Sequence, residues 1–216
     1  MLIPQVPVAK EGYPFIAFGA FCTFVLAFLG LPSATILSFI VTTFVLCFFR
    51  DPERFIPASD DALVSPADGK VIQVERVPGN PFTEMEAIKI SIFMNVFNVH
   101  VNRIPFPGRV EKIIYKPGKF YSADSAKGGL ENEYCAAVIA TAGGKKVAFV
   151  QIAGLIARRI VCWLEPGDEV IRGRRFGLIR FGSRVDLYLP FDTEVLIKVG
   201  DKVRAGETLL GHLRIQ

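Results

Sequence analysis

The chain opens on a long apolar block and then changes texture. From Gly12 to Phe49 no residue is charged. That run is too long for one membrane-length helix and about right for two short ones. Gly30-Leu31-Pro32-Ser33 breaks it in the middle, so the pattern predicts a helical hairpin with arms near 14–30 and 33–49. A buried hairpin of a soluble protein is the alternative reading. Each arm sits at the lower limit for a full span, so crossing the bilayer and dipping into one leaflet both stay open. Lys10 before the block and Arg50 and Arg54 after it place both ends on the cytoplasmic side by the positive-inside rule. Charges then appear abruptly in Phe48-Phe49-Arg50-Asp51-Pro52-Glu53-Arg54, and Pro52 and Pro57 stop any helix. This sets a boundary between an anchoring segment, 1–50, and a second domain, 51–216.

Beyond Leu63 the pattern shifts to short apolar-polar alternations separated by turn residues. The predicted strands are 70–77, 87–93, 100–104, 109–115, 135–141, 146–152, 160–164, 176–181, 185–189 and 194–199. Many short strands at about ten-residue spacing point to a mainly β domain, a barrel or sandwich, preceded by the hydrophobic α-hairpin. One internal echo stands out. Gly167-Asp168-Glu169-Val170-Ile171-Arg172-Gly173 and Gly200-Asp201-Lys202-Val203-Arg204-Ala205-Gly206 share the form G-D-x-V-x-x-G. This resembles the hammerhead segments of lipoyl and biotinyl carrier domains. No lysine motif of the kind those carriers modify accompanies it, so the echo speaks for architecture and not for a carrier function.

Charge and composition narrow the picture. The net charge of +4 fits an anionic lipid surface at least as well as nucleic acid. The four cysteines (Cys22, Cys47, Cys135, Cys162) lack metal-ligand spacing, and no Cys/His cluster exists, which points away from zinc and toward a reducing compartment.

Four stretches carry candidate chemistry. Ser65-Pro66-Ala67-Asp68-Gly69 makes a good turn on its own. Phe93-Met94-Asn95-Val96-Phe97-Asn98-Val99-His100-Val101-Asn102-Arg103-Ile104-Pro105 holds His100, one of two histidines and the better candidate for moving a proton near neutral pH. Glu131-Asn132-Glu133 is a polar knot between strands. Phe181-Gly182-Ser183-Arg184-Val185-Asp186 places a serine directly after a glycine, where the backbone can take positive-φ geometry and an activated hydroxyl could attack a carbonyl. Each has a bland alternative: a turn, a structural histidine, a solvated loop.

Taken in order, the apolar hairpin, Phe-Phe-Arg-Asp-Pro, Ser-Pro-Ala-Asp-Gly, Phe-Met-x5-His-Val-Asn-Arg-x-Pro, Asn-Glu and Phe-Gly-Ser-Arg-Val-Asp resemble the short-form phosphatidylserine decarboxylases over essentially the whole chain. The resemblance implies a self-processing enzyme in which Ser183 attacks the Gly182 carbonyl. The chain then splits into a β chain, 1–182, and an α chain, 183–216, that begins with a pyruvoyl group made from Ser183. It implies a Schiff base between that group and phosphatidylserine, loss of CO2, and release of phosphatidylethanolamine. Asp68 and His100 would complete a triad-like set with Ser183. Arg103, Glu131 and Asn132 would contact substrate. The related long bacterial branch has two histidines where this chain has His100 and Arg103, and arginine is too basic to act as a base. Seven arginines between Arg158 and Arg184 offer bidentate partners for phosphate and carboxylate, or a solvated basic face. The family further implies a dimer, no metal and no nucleic-acid partner. An archaeal-type serine lipid as substrate, and a non-catalytic membrane-anchored β domain, are the alternative functions.

Overall fold

The computed structural model describes residues 7–125, 128–129, 131–155, 159–180 and 182–214. Its contacts divide the chain into two units, Met1–Glu53 and Arg54–Gln216.

In the first unit, α1 (Tyr13–Phe28) and α2 (Pro32–Phe48) form the hairpin. Each carries a proline in its first turn, where the missing N–H costs nothing. Gly30, at φ 69°, makes the reversal. The helices meet where Gly19 faces Thr42: a Cβ on Gly19 would lie 2.6 Å from the Thr42 hydroxyl. Thr23 and Ser38 share a 2.8 Å hydrogen bond, and Thr23 and Thr42 also bond back to carbonyls one turn earlier, so the few polar groups in this apolar pair are satisfied internally. Phe18, Phe21, Phe24 and Phe28 point outward, largely exposed. The run Lys10–Phe28 is long and apolar enough to cross a membrane; α2 is shorter.

The second unit is β throughout and is built twice over. Its first strands are β1 (Ala62–Val64), β2 (Gly69–Val77) and β3 (Ala87–Met94). Next come β4 (Val101–Arg103), β5 (Gly108–Lys116), β6 (Tyr134–Ala140), β7 (Lys146–Ala153), β8 (Ile160–Cys162), β9 (Glu169–Val170) and β10 (Arg175–Ile179). The chain closes with β11 (Ser183–Pro190), β12 (Glu194–Val195), β13 (Lys202–Val203) and β14 (Leu209–His212). The large sheet runs β13-β2-β3-β11-β7-β6-β5-β9, and two small sheets run β1-β14-β12 and β4-β10-β8. Read from either end, the large sheet presents the same sequence of partners. The first copy comprises β1–β3 with β11–β14; the second, β4–β10, is inserted within it.

The hydrogen bonds repeat along with the strands. Gly200 N–H donates to Val71 O at 2.8 Å, and Gly167 N–H to Val110 O at 2.8 Å. Gly206 N–H reaches Ser65 O at 2.7 Å, and Gly173 N–H reaches Ile104 O at 2.8 Å. Asp201 and Asp168 each accept from the amide three residues earlier, both at 2.9 Å. Gly200 and Gly167 lie at φ 103° and 99°, Gly206 and Gly173 at 76° and 78°; this left-handed geometry strains any residue with a Cβ. The two copies also clasp each other reciprocally: Val64 N–H donates to Pro105 O, and Arg103 N–H to Pro66 O. The echo in sequence is therefore half of a longer repeat, in which Pro66-Ala67-Asp68-Gly69-Lys70-Val71 matches Pro105-Phe106-Pro107-Gly108-Arg109-Val110.

The core lies between the large sheet and the two small ones. Ile90, Ile92, Met94, Phe149, Phe176, Val185 and Leu187 are all buried there. Every predicted strand has a counterpart, with shifted ends. Only Glu194–Val195 of 194–199 is extended, β10 stops at Ile179, and Phe181 lies outside the described residues. Ser183 is not in a turn between strands but is the first residue of β11, paired with Met94 on one side and Ala153 on the other.

Candidate active site

In the second copy, β6 and β7 are joined by a tight hairpin through Thr141–Lys145, closed by Thr141 N–H to Lys145 O at 2.9 Å. In the first copy the corresponding strands, β3 and β11, are paired in the same way. Here the hairpin is opened, and residues 95–182 run through the whole second copy before returning. Both ends of that excursion carry candidate residues. His100 lies on the way out, just before β4, and Gly182-Ser183 on the way back.

The fold brings these together. Gly182 N–H donates to His100 Nε2 at 3.3 Å, and His100 Nδ1 lies 2.9 Å from Asn98 O. A carbonyl can only accept, so Nδ1 carries the proton and Nε2 presents its lone pair to Gly182. The Gly182 contact is at the long end for a hydrogen bond, which holds the lone pair near the Gly182-Ser183 unit without engaging it firmly. Gly182 sits at φ 75° with nothing within 4 Å of where a Cβ would be, so conformation and not crowding demands glycine there. Its carbonyl packs on Gly154, where an added Cβ would lie 2.4 Å from the oxygen. Ser183 is fully buried, and its Oγ finds no hydrogen-bond partner among the described residues. An unmade bond at a buried hydroxyl costs about 1–3 kcal/mol.

Asp68 makes its hydrogen bonds to other groups. Its carboxylate is held by both contacts of Arg54 Nη2, at 3.1 and 2.8 Å, and accepts the Ala205 amide at 2.8 Å. Arg54 also reaches Glu207 at 3.2 Å. None of Asp68's hydrogen bonds among the described residues goes to His100 or Ser183. The link between them is the backbone bond from Arg103 N–H to Pro66 O, which ties the Asp68 turn to the strand following His100.

The remaining predicted residues divide. Arg103 is buried and donates to Gly173 O at 2.9 Å, and its Cδ packs where a Cβ on Gly206 would go. It thus locks the closing glycines of both repeats. Asn132 is fully buried and gives its whole amide to the backbone. It accepts from Tyr121 N–H and donates to Tyr121 O and Ala153 O, each at 2.8 Å. That pins the 117–133 loop beside the residue paired with Ser183. Glu131 is exposed. Of the arginine run, Arg172 is bound to the carbonyls of Pro57, Asp60 and Ala62 and Arg184 is buried in a two-point pair with Asp186 at 2.5 and 2.7 Å. Arg158 lies outside the described residues. Arg159 is exposed and its carbonyl accepts Arg180 N–H. Two residues escaped the sequence reading. Arg54 carried no signal linking it to Asp68, and Gly154 lies in none of the motifs.

Beside the Gly182-Ser183 unit opens a cavity of about 270 Å³, walled by Phe93, Asn95, Val96, Ala123, Leu155 and Gly182.

The family model described as phosphatidylserine decarboxylase matches residues 41–211. A protein of Desulfotalea psychrophila named phosphatidylserine decarboxylase proenzyme is 64% identical over 99% of this chain and 100% of its own. Proteins of the same name from Pelobacter propionicus (52% identical, 97% of this chain, 98% of its own) and Cupriavidus metallidurans (50%, with 100% of each) are similar throughout. With a family model covering most of the chain and full-length relatives at this identity, the chain belongs to the phosphatidylserine decarboxylase family.

Proposed function

We propose that this chain is the proenzyme of a membrane-associated phosphatidylserine decarboxylase that cuts itself between Gly182 and Ser183. The observation that carries the proposal is the state of Ser183. Its hydroxyl is buried and unbonded, next to a positive-φ glycine whose amide rests on the lone pair of His100. A hydroxyl in that position is available to attack the Gly182 carbonyl, with His100 Nε2 taking its proton. The acyl group of Gly182 moves from nitrogen to oxygen. Loss of the Ser183 α-proton then expels Gly182 as a carboxylate, ending the β chain at residue 182. Water displaces ammonia from the dehydrated residue, leaving a pyruvoyl group at the head of residues 183–216.

That group, when formed, supplies a ketone able to condense with the substrate's amine and to hold the electron pair left by departing CO2. The surrounding residues suit it: its precursor is buried, and the adjoining Gly182 borders an open cavity. His100 keeps a proton-accepting nitrogen at this point and, once protonated, can return the proton to the substrate carbon. Asn132 fixes the wall next to Ala153, and Gly154 leaves room for the Gly182 carbonyl. Asp68, paired with Arg54, serves as a positioning carboxylate through the turn that bonds to Arg103. Burial and immobilisation of all these groups favour reaction within the chain over exchange with water.

The substrate is phosphatidylserine and the product phosphatidylethanolamine. The apolar helices keep the enzyme at the membrane, on its cytoplasmic side by the charge pattern. Ser183→Ala tests the reading by intact mass and lipid analysis. The expected result is one uncut chain of 23.8 kDa and no phosphatidylethanolamine formed; two chains split at the same bond in that variant would overturn it.

A further inference from the structure

The cavity beside Gly182 has an unusual mouth. One wall is the turn after β3, and this turn is firmly built. Asn95 N–H donates to Asn98 Oδ1 at 2.9 Å, Phe97 N–H donates to Asn95 Oδ1 at 2.9 Å, and Asn98 N–H returns to Asn95 O at 3.0 Å. What this turn holds up is Phe97, 72% exposed. On the other wall Leu155 is 64% exposed. Large apolar side chains displayed to solvent on a rigid turn forgo the stabilisation that burial would give them.

We infer that Phe97 and Leu155 are a second membrane contact, separate from the N-terminal helices. They enter the lipid surface around the substrate, so that its glycerol and first acyl carbons stay in an apolar setting while its headgroup passes between them toward Ser183. The inference rests on the decarboxylase reading above. A diacyl lipid cannot leave the bilayer cheaply, since every acyl CH2 brought into water adds to the cost. Ser183 is itself fully buried, so only the headgroup need travel and the mouth must meet the lipid where it lies. Arg159, exposed and joined through its carbonyl to the Arg180 amide, adds a cation where the chain leads into Gly182, suited to a phosphate layer.

The test compares two presentations of one headgroup to the full chain. One is long-chain phosphatidylserine in phosphatidylcholine vesicles; the other is dihexanoyl phosphatidylserine below its micelle concentration. Phe97→Asp is expected to lower the vesicle rate by about tenfold or more. Self-cleavage, read as two chains on a denaturing gel, and the rate on the soluble lipid stay within about twofold of the parent on the same scale of energies. Phe97→Leu keeps most of the vesicle rate. Equal losses on both substrates, or no loss on vesicles, would overturn the inference while leaving the decarboxylase intact. A parent chain that cleaves neither itself nor any serine lipid would instead overturn the reading on which the inference rests.

Discussion

The two copies in the β unit share a backbone and differ in chemistry. Where the second copy has Pro107, the first has Asp68; where the first has Val64, the second has Arg103. The residue at His100's place in the first copy is Asp61, which sits near the surface in an ion pair with His212 at 3.0 Å. Pro107 and Val64 show that the repeat's turns and strands close without a carboxylate or a guanidinium at these positions. The shared backbone path therefore does not itself require the polar residues found there. The hairpin is the clearest divergence. Thr141–Lys145 is a plain reversal in one copy, and in the other its counterpart is the gap between Met94 and Ser183 where His100 meets Gly182.

Substitutions at matched positions break or sharpen that contrast. The largest difference is expected at His100. His100→Gln should slow self-cleavage by at least about a hundredfold, as loss of a general base does, whereas Asp61→Asn should leave cleavage within about twofold, since exposed ion pairs contribute little. Time courses of chain splitting on a gel decide this, and equal effects would erase the asymmetry. Gly154→Ala comes next. Its Cβ would lie 2.4 Å from the Gly182 carbonyl, so the scissile unit must shift; cleavage should fall at least about tenfold, because small misplacements of reacting groups are costly. Circular dichroism should stay unchanged. Asp68→Asn leaves the Arg54 charge poorly matched in a mostly buried place and should destabilise the folded unit by about 2 kcal/mol or more. Pro107→Ala, at the matched position, should cost less than half of that in denaturant unfolding. Arg54→Met combined with Asp68→Asn should cost less than the sum of the two.

The smallest effect concerns β8, which carries Cys162 against Cys135, while its counterpart β12 has no thiol. A hydrogen bond from Cys135 pulls the Cys162 thiol down to about 7, and the same contact together with burial pushes Cys135 up. A lowered thiol pKa means more thiolate as pH rises through that value. Alkylation of Cys162 should therefore climb across pH 6–8, with Cys135 lagging, as peptide mapping would reveal.

How much of this was legible beforehand depends on which signals are local. The helical pair announces itself because bilayers exclude charge, and the strands because alternation is a short-range pattern. Asp68, His100 and Ser183 were identifiable as an ordered set of motifs. Their actual wiring was not, since Arg54 and Asp68 meet through folding and no spacing rule connects them. Asn132 was expected at the substrate, yet its amide is spent on the Tyr121 and Ala153 backbone. The repeat was visible only as G-D-x-V-x-x-G. Its other half shares just a proline, a glycine, a basic residue and a valine, and the insertion of one copy into the other hides any regular period.

One consequence of the strand order remains. β11 is hydrogen-bonded to β3 and β7, β13 to β2, and β14 to β1. A cut ahead of Ser183 thus severs a thread and spares the weave. The short C-terminal fragment keeps its place in the middle of the fabric with no covalent tie, and the freshly made end is delivered where its bond was broken, with no need to search for its seat.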